Sequence, residues 1–315
     1  MKTKLIWGLI YTGVFAGVFA LSAFLKLQGW PGKDPMPVTW NDSVGTRVDN
    51  LSYGPEEANK FDLYLPADKG KETYGLVVYL HAGGFTGGDK SDDAKILEWI
   101  CSQGYVAAGV NYTLLSDKNP TASVYSMSLE VQESIPAIKE ECEKLGYNVD
   151  RMAIGGGSAG GCLALIYAYR DAAASPIPVK FVFEGVGPAG FHHKEWTMYG
   201  LDKSDEAAAE LFTAMSGKKI TPEMIKNNDY AAEVKDISPA EWVNAKSVPL
   251  LAAYGTYDKI EPYKEIYGLI KKLDEYNIPN KLILFPHSGH GLQNDSKQFL
   301  EYANSLKSWL KTYLS

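Results

Sequence analysis

Arginine is scarce in this chain, and positive charge is nowhere concentrated. Only three of the 315 residues are arginine (Arg47, Arg151 and Arg170), and the formal net charge at pH 7 is −7. No basic stretch is interleaved with aromatic residues, which is the pattern that contacts phosphate backbones and stacks bases. The sequence therefore predicts that nucleic acid is not a partner.

Cysteine is rare, and the common phosphate-binding patterns are missing. Cys101, Cys142 and Cys162 show no metal-ligand spacing, and their odd number gives no disulfide framework. Each falls in a segment with a helical pattern, so we expect three small buried side chains. The sequence has no Walker lysine and no dinucleotide fingerprint. We therefore predict no cofactor and no metal ion.

One long uncharged run lies at the N-terminus. Lys2 and Lys4 precede the 21 residues from Leu5 to Leu25, and Lys26 follows them. A helix of this length can cross a bilayer, so we predict an uncleaved signal-anchor within residues 1–26. The alternatives are a cleaved signal peptide, although the nearest cleavage site is poor, and a buried globular helix. In the first two cases the body is extracytoplasmic, anchored to a membrane or secreted.

A linker and one large domain follow. Residues 27–43 contain three prolines and two glycines, which favours a linker. The main domain is expected over residues 44–315, with folded structure starting near Trp40.

Within this domain, short apolar runs alternate with helical patterns. The predicted strands are 61–66, 76–80, 105–111, 152–154, 180–186, 248–254 and 281–285, and the first of these alternates as an edge strand does. The predicted helices are 93–103, 126–145, 206–215, one from 224 onward, 263–276 and 292–313. This order predicts an α/β fold whose mostly parallel sheet has helices on both faces.

A segment of about sixty residues interrupts the alternation after the strand at 180–186, at about 188–247. It shows helical pieces but no clear strand, so we expect a helical cap above the carboxyl edge of the sheet. Some of its aromatic and histidine residues are candidate pocket walls and the others serve the cap's own core: Phe191, His192, His193, Trp196, Tyr199, Phe212, Tyr230 and Trp242.

The clearest motif lies between the strand at 152–154 and the helical pattern after it. Gly156-Gly157-Ser158-Ala159-Gly160 fits the nucleophile-elbow pattern, in which a serine occupies a strained strand-to-helix turn. Glycine at 156 and 160 allows the helix and strand to approach closely. Glycine-rich turns that contain a serine are also common without catalysis, so the motif needs support from elsewhere in the chain.

That support comes from a family resemblance over residues 55–312. His81 to Phe85 and Gly88 to Lys90 resemble the HGGG[FW]…GDK stretch of α/β-hydrolase-fold esterases, and residues 157–161 resemble their GxSAGG elbow. Residues 254–258 are similar to their HGxxD turn, and residues 289–291 to their GHG turn. The family is that of the carboxylesterases related to hormone-sensitive lipase and to acetyl and feruloyl esterases. The resemblance implies the α/β-hydrolase fold.

Three positions depart from the family pattern. Ala82 replaces the first glycine, Tyr254 replaces the usual histidine, and residues 111–114 lack an arginine common at that strand end. None of the three departures removes a catalytic group.

A serine hydroxyl needs a neighbouring base, and in this fold the order along the chain is serine, acid, histidine. Only His287 and His290 follow the last strand, and His290 between two glycines is the better candidate. Asp258 follows the preceding strand and is the expected acid, with Glu261 as the alternative. The predicted catalytic residues are therefore Ser158, Asp258 and His290.

Ester cleavage also needs N–H groups directed at the developing oxyanion. Gly83, Gly84 and Ala159 are the predicted donors. The resemblance implies that His81 supports the oxyanion loop and does not act as a base.

The resulting hypothesis is a serine carboxylic-ester hydrolase that cleaves small acyl esters, with acetylated carbohydrate as one candidate, through an acyl-enzyme. The alternatives are a serine peptidase of the same fold and a catalytically silent adhesion or scaffold domain. The acyl chain, the alcohol and the oligomeric state are left open by the sequence.

Overall fold

The computed structural model describes residues 34–261 and 263–315, without the side chain of Met198. Residues Val38–Ser315 form one compact unit. The predicted signal-anchor at Leu5–Leu25 lies outside the described residues. Within the described ranges, none of the helices combines the length and apolarity that a bilayer crossing requires.

The centre of the compact unit is an eight-stranded sheet. Its strands are β1 (Gly45–Ser52), β2 (Lys60–Pro66), β3 (Tyr74–Leu80), β4 (Val106–Val110), β5 (Val149–Gly157), β6 (Val179–Gly185), β7 (Leu250–Gly255) and β8 (Asn280–Phe285). Their order is β1-β2-β4-β3-β5-β6-β7-β8. Only the β1–β2 and β2–β4 pairs are antiparallel. The predicted mostly parallel sheet is confirmed.

The prediction that 61–66 is an edge strand was wrong. These residues belong to β2. The strand β1, which is polar and mostly exposed, pairs with the outer side of β2 and occupies the edge. The polar residue that produced the alternation, Asp62, is buried. Its carboxylate accepts the N–H of Asn50 at 2.7 Å and lies 3.3 Å from Lys90 Nζ. A buried ion pair therefore gave the same sequence pattern as solvent exposure.

Eight α-helices are found in the described chain. They are α1 (Ala94–Ser102), α2 (Val124–Lys144), α3 (Ala159–Ile166), α4 (Asp205–Ser216), α5 (Pro222–Asn227), α6 (Ala231–Val234), α7 (Ile266–Glu275) and α8 (Ser296–Leu314). A π-helical turn at Tyr167–Asp171 continues α3. Cys101, Cys142 and Cys162 are buried and unpaired in α1, α2 and α3, as predicted.

The backbone of the insertion between β6 and β7 is described throughout, and it holds α4, α5 and α6 with short 3₁₀ segments and no strand. Phe191 and Trp196 stack with ring centroids 5.6 Å apart. Phe212 packs against both rings and against Tyr230, and all four aromatic residues are buried. These four predicted pocket candidates therefore form the core of the cap itself.

Arg170 holds the base of the cap. Its guanidinium pairs with Asp171 through both carboxylate oxygens, at 2.7 and 2.8 Å. It also donates to the Asp236 carbonyl at 2.8 Å and to the Ser128 hydroxyl at 2.9 Å. Because Asp236 belongs to the cap and Ser128 to α2, one buried cation connects the cap, α2 and the helix that follows the elbow.

β6 carries a buried ionisable side chain, that of Glu184. The Glu184 side chain is inaccessible to solvent, and its Oε2 accepts the N–H of Gly187 at 2.8 Å. Burial raises the pKa of Glu184 to about 8, because it penalises the ionised form more than the hydrogen bond from Gly187 favours it. The native protein therefore holds this proton at pH values where the unfolded chain, with an ordinary carboxyl pKa of 4.5, has lost it.

This difference predicts how stability varies with pH. A carboxyl pKa that is raised by folding makes the free energy of unfolding decrease as pH rises from 4.5 towards 8. Relative to Glu184→Gln, the wild type should lose up to about 1.4 kcal/mol per pH unit in this window. Urea denaturation of both proteins at several pH values measures the difference, and parallel curves would contradict the assignment.

Candidate active site

Ser158 occupies the turn between β5 and α3 in a conformation that L-residues rarely adopt, with φ 51° and ψ −119°. Its N–H donates to the Gly185 carbonyl at 2.8 Å, which fixes the turn at the carboxyl edge of the sheet. A Cβ on Gly160 would lie 2.0 Å from the carbonyl oxygen of Leu80, and one on Gly156 would lie 2.4 Å from the carbonyl carbon of Gly160. The predicted glycine spacing is therefore a steric requirement of the turn.

The structure brings the three predicted catalytic residues into one hydrogen-bonded line. Ser158 Oγ lies 2.8 Å from His290 Nε2, and His290 Nδ1 lies 2.8 Å from Asp258 Oδ2. A carboxylate can only accept, so Nδ1 carries the ring proton and Nε2 is left to accept from the serine hydroxyl. The other Asp258 oxygen accepts the backbone N–H groups of Ile260 and Glu261, at 2.8 and 3.0 Å.

The two alternatives considered from the sequence lie outside this line. The His287 side chain is 77% exposed, and its Nδ1 pairs with Asp295. The Glu261 side chain is buried, and its Oε1 has no hydrogen-bond partner in the described part of the chain. Glu261 reaches Asp258 only through its backbone N–H.

Asp295 fixes the loop that carries His290. Its carboxylate accepts the backbone N–H of His287 at 2.9 Å and the hydroxyl of the buried Ser288. Burial would raise the pKa of Asp295, but the hydrogen bonds from Ser288 and His287 outweigh it and lower the pKa below the ordinary value. Asp295 precedes α8, yet its side chain makes no capping bond because the loop uses both oxygens.

The oxyanion loop depends on two glycines with positive φ. Gly83 has φ 133°, and a Cβ there would lie 2.0 Å from the Gly87 carbonyl oxygen. Gly84 has φ 61°, and its Cβ position faces open space. No backbone bond is formed by the N–H of either glycine within the described residues. Ala159 is the first residue of α3, where an N–H has no partner inside the helix.

His81 lies under this loop. Its ring stacks on Tyr112 with centroids 4.3 Å apart and planes 5° apart, and the Tyr112 hydroxyl donates to the His81 carbonyl at 2.7 Å. Its Nδ1 lies 2.7 Å from the Ala82 carbonyl oxygen, so this nitrogen carries the proton. Burial lowers the pKa of His81, which keeps the ring neutral.

The Gly88-Asp89-Lys90 stretch anchors the far end of the loop. Asp89 Oδ2 accepts the side-chain amide of Asn111 at 2.6 Å, and the Lys90 N–H donates to the Asn111 carbonyl oxygen Oδ1 at 2.6 Å. Burial would raise the pKa of Asp89, but the hydrogen bonds from Ser91 and Asn111 lower it to about 2. This chain lacks the family's arginine at 111–114, but the anchor does not depend on it.

The remaining cap candidates differ in exposure. His193 is buried, and both its N–H and its ring Nδ1 bond to the Tyr230 hydroxyl. His192 is exposed, and Trp242 donates its indole N–H to the Lys235 carbonyl inside the cap. Tyr199 is 47% exposed and donates to the Ile260 carbonyl at 2.9 Å, which places it beside the acid loop.

In the chain as described, no group of three or more histidine, cysteine or acidic side chains is arranged to hold a metal ion.

Two residues of this region, Asp295 and Glu265, were not predicted from the sequence. Asp295 stands directly before a helix, and the rule for N-terminal caps would have singled it out. Glu265 is buried, and its carboxylate accepts N–H groups from the cap, but Lys264-Glu265 in the sequence is typical of an exposed helix face. No local signal identifies Glu265.

A comparison with protein families matches residues 61–273 to the family BD-FAE. The match covers more than half of the chain and includes Ser158 and Asp258. The chain belongs to the BD-FAE family. His290 and its loop lie beyond the matched range.

Among curated relatives of this BD-FAE protein, acylamino-acid-releasing enzyme of Rattus norvegicus is 24% identical over 227 residues, or 68% of this chain and 28% of the relative. The probable carboxylic ester hydrolase LipM of Mycobacterium tuberculosis is 21% identical over 238 residues, or 71% of this chain and 51% of the relative. The chain thus spans from about a quarter to half of the length of these relatives.

Solved structures share the fold. A truncated carbohydrate esterase from gut microbiota superposes with a TM-score of 0.66 at 16% identity, covering 87% of this chain and 98% of its own. Propionate-bound esterase Est2 of Thermogutta terrifontis gives 0.65 at 19% identity, with coverage of 84% and 93%. The predicted α/β-hydrolase fold and the esterase resemblance are confirmed.

The close approach at the elbow gives a test. Gly160→Ala should lower both stability and the rate of any ester hydrolysis, because the new methyl group collides with the Leu80 carbonyl and must displace α3. Gly268→Ala on α7 is the matched control, since its Cβ meets nothing within 4 Å. The control should gain roughly 0.5–1 kcal/mol from helix propensity. Thermal unfolding and ester hydrolysis measure both effects, and equal stabilities would contradict the steric argument.

Proposed function

We propose that this BD-FAE protein is a serine carboxylesterase. The observation that carries the proposal is the line from Ser158 through His290 to Asp258, with 2.8 Å at both hydrogen bonds. Because a serine, its base and an orienting acid are all present, the silent-scaffold alternative has no support from the site.

In the first half of the proposed reaction, Ser158 Oγ attacks the ester carbonyl carbon while its proton passes to His290 Nε2. The carbonyl oxygen becomes an oxyanion, for which the N–H groups of Gly83, Gly84 and Ala159 are the donors. Collapse of the tetrahedral intermediate breaks the bond to the alcohol oxygen. His290 returns the proton to that oxygen, and the alcohol leaves an acyl group on the serine.

In the second half, water takes the place of the alcohol. His290 removes a proton from the water as its oxygen attacks the acyl carbonyl, and the same proton then returns to Ser158 as the acid departs. Asp258 stabilises the imidazolium and holds its tautomer in both halves. Two backbone N–H groups on its second oxygen hold the carboxylate in its orientation.

For the substrate, we propose small acyl esters, with acetylated carbohydrate as the natural candidate. Two fold relatives support this choice: one is described as a carbohydrate esterase, and another binds propionate.

Relatives described as acylamino-acid-releasing enzymes favour a second candidate, the release of an acylated amino acid from a peptide. The two activities share the acyl-enzyme and differ in the leaving group, which is an amine in this case. Comparing N-acetylalanine p-nitroanilide with p-nitrophenyl acetate separates the candidates. We expect kcat/KM for the ester to exceed that for the anilide by at least about a hundredfold.

The esterase proposal predicts hydrolysis of p-nitrophenyl acetate, butyrate and octanoate that falls with chain length. Ser158→Ala and His290→Ala should lower kcat by at least about 10³-fold, because each removes a member of a unit that acts together. His287→Ala, which removes an exposed histidine three residues away, should stay within about threefold of the wild type. Failure of the folded wild type to cleave any ester would refute the proposal.

We also propose that the protein is extracytoplasmic and is held at a membrane by residues 1–26. The uncharged run at Leu5–Leu25 behind Lys2 and Lys4 supports this proposal. The full chain should then sediment with membranes after alkaline carbonate extraction. Release of a shortened chain into the medium would instead indicate cleavage.

A further inference from the structure

A buried glutamate connects the cap to the segment that carries Asp258. Glu265 ends a short 3₁₀ turn directly before α7 and is only 7% exposed. Its Oε1 accepts the backbone N–H of His192 at 2.9 Å and the indole N–H of Trp196 at 3.1 Å. Both donors lie where the chain enters the cap. One carboxyl oxygen therefore fixes the entry of the cap.

Another hydrogen bond joins the same two segments, and here too the donor belongs to the cap. The hydroxyl of Tyr199, in the cap, donates to the Ile260 carbonyl at 2.9 Å. The N–H of the same Ile260 donates to Asp258 Oδ1 at 2.8 Å. Only one residue thus separates the cap from the carboxylate that orients His290.

Packing alone does not explain a glutamate at position 265. Burying a carboxyl group carries a desolvation cost, and an apolar side chain of similar volume would fill the same space at lower cost. Burial raises the pKa of Glu265 well above the ordinary carboxyl value, and the N–H groups of His192 and Trp196 only partly oppose the shift. Whether protonated or ionised, the carboxyl group offers an acceptor oxygen to both donors.

We propose that Glu265 is a positioning residue, which holds the cap entry against the 258–265 segment so that Asp258 stays aligned with His290. The inference rests on the proposed function, since it assigns Asp258 to catalysis. Glu265 itself touches neither Ser158 nor His290. Its effect on the reaction passes through Trp196, the cap and the loop between Asp258 and Ile260.

The sharpest test removes one donor and leaves a smaller aromatic ring in its place. Trp196→Phe loses the indole N–H that reaches Glu265, whereas Trp242→Phe loses an indole N–H that bonds within the cap to the Lys235 carbonyl. With p-nitrophenyl acetate, Trp196→Phe should lower kcat by about 3- to 10-fold with little change in KM. Trp242→Phe should stay within about twofold of the wild type in both parameters.

Variants at position 265 separate the acceptor from mere volume. Glu265→Leu removes the acceptor and should lower kcat by at least about tenfold. Glu265→Gln keeps an acceptor oxygen and mimics the neutral carboxyl group, so it should retain at least a third of the wild-type kcat. Amide hydrogen exchange should be faster over residues 256–261 in Glu265→Leu and Trp196→Phe, and unchanged in Trp242→Phe.

Several outcomes would overturn the proposal. A folded Glu265→Leu with wild-type kcat would do so, as would equal kcat values for the Trp196 and Trp242 variants. Glu265→Gln as slow as Glu265→Leu would show that the acceptor oxygen is not what matters. If Glu265→Leu does not fold, the two tryptophan variants decide the question. A wild type inactive on every ester refutes the proposed function instead, while the exchange measurement still tests the contact.

Discussion

The close approach of α3 to β3 at Gly160 is the contact on which the site depends. It lets the chain reverse within one residue, and Ser158 takes a φ of 51° at that reversal. The same approach places the N–H of Ala159, which has no partner inside α3, beside the serine. It also brings the oxyanion loop, which follows β3 after Leu80, close to Ser158. Local strain at one residue is thus maintained by the packing of a helix on a sheet.

Three loops meet at this edge, and each is held mainly by hydrogen bonds between a side chain and the backbone. Asp89 and Asn111 fix the oxyanion loop, Asp295 fixes the His290 loop, and Asp258 accepts two N–H groups of its own loop. Such bonds specify the direction of a loop as well as its position, which a lone surface ion pair does not. The line from Ser158 to Asp258 is therefore assembled from three independently anchored segments.

How far the sequence could predict this molecule differs from feature to feature. The elbow and His290 were predictable because sterics and chain order restrict which residues can occupy them. β1 was missed because it is polar and exposed, and β2 was placed at the edge because Asp62 is buried beside Lys90. Glu265 was missed because its partners lie about seventy residues away in the chain. The elbow pattern has a local steric cause that the sequence displays, whereas β1, the place of β2 and the role of Glu265 depend on partners distant in the chain.

The hydrogen bonds of Arg170 restrict how the cap can move. Arg170 lies on the π-turn that continues α3, and α3 begins at the residue after Ser158. Because its guanidinium also donates to the Asp236 carbonyl, a hydrogen bond links the base of the cap to the π-turn that continues α3. A swing of the whole cap would pull on the turn that carries the serine.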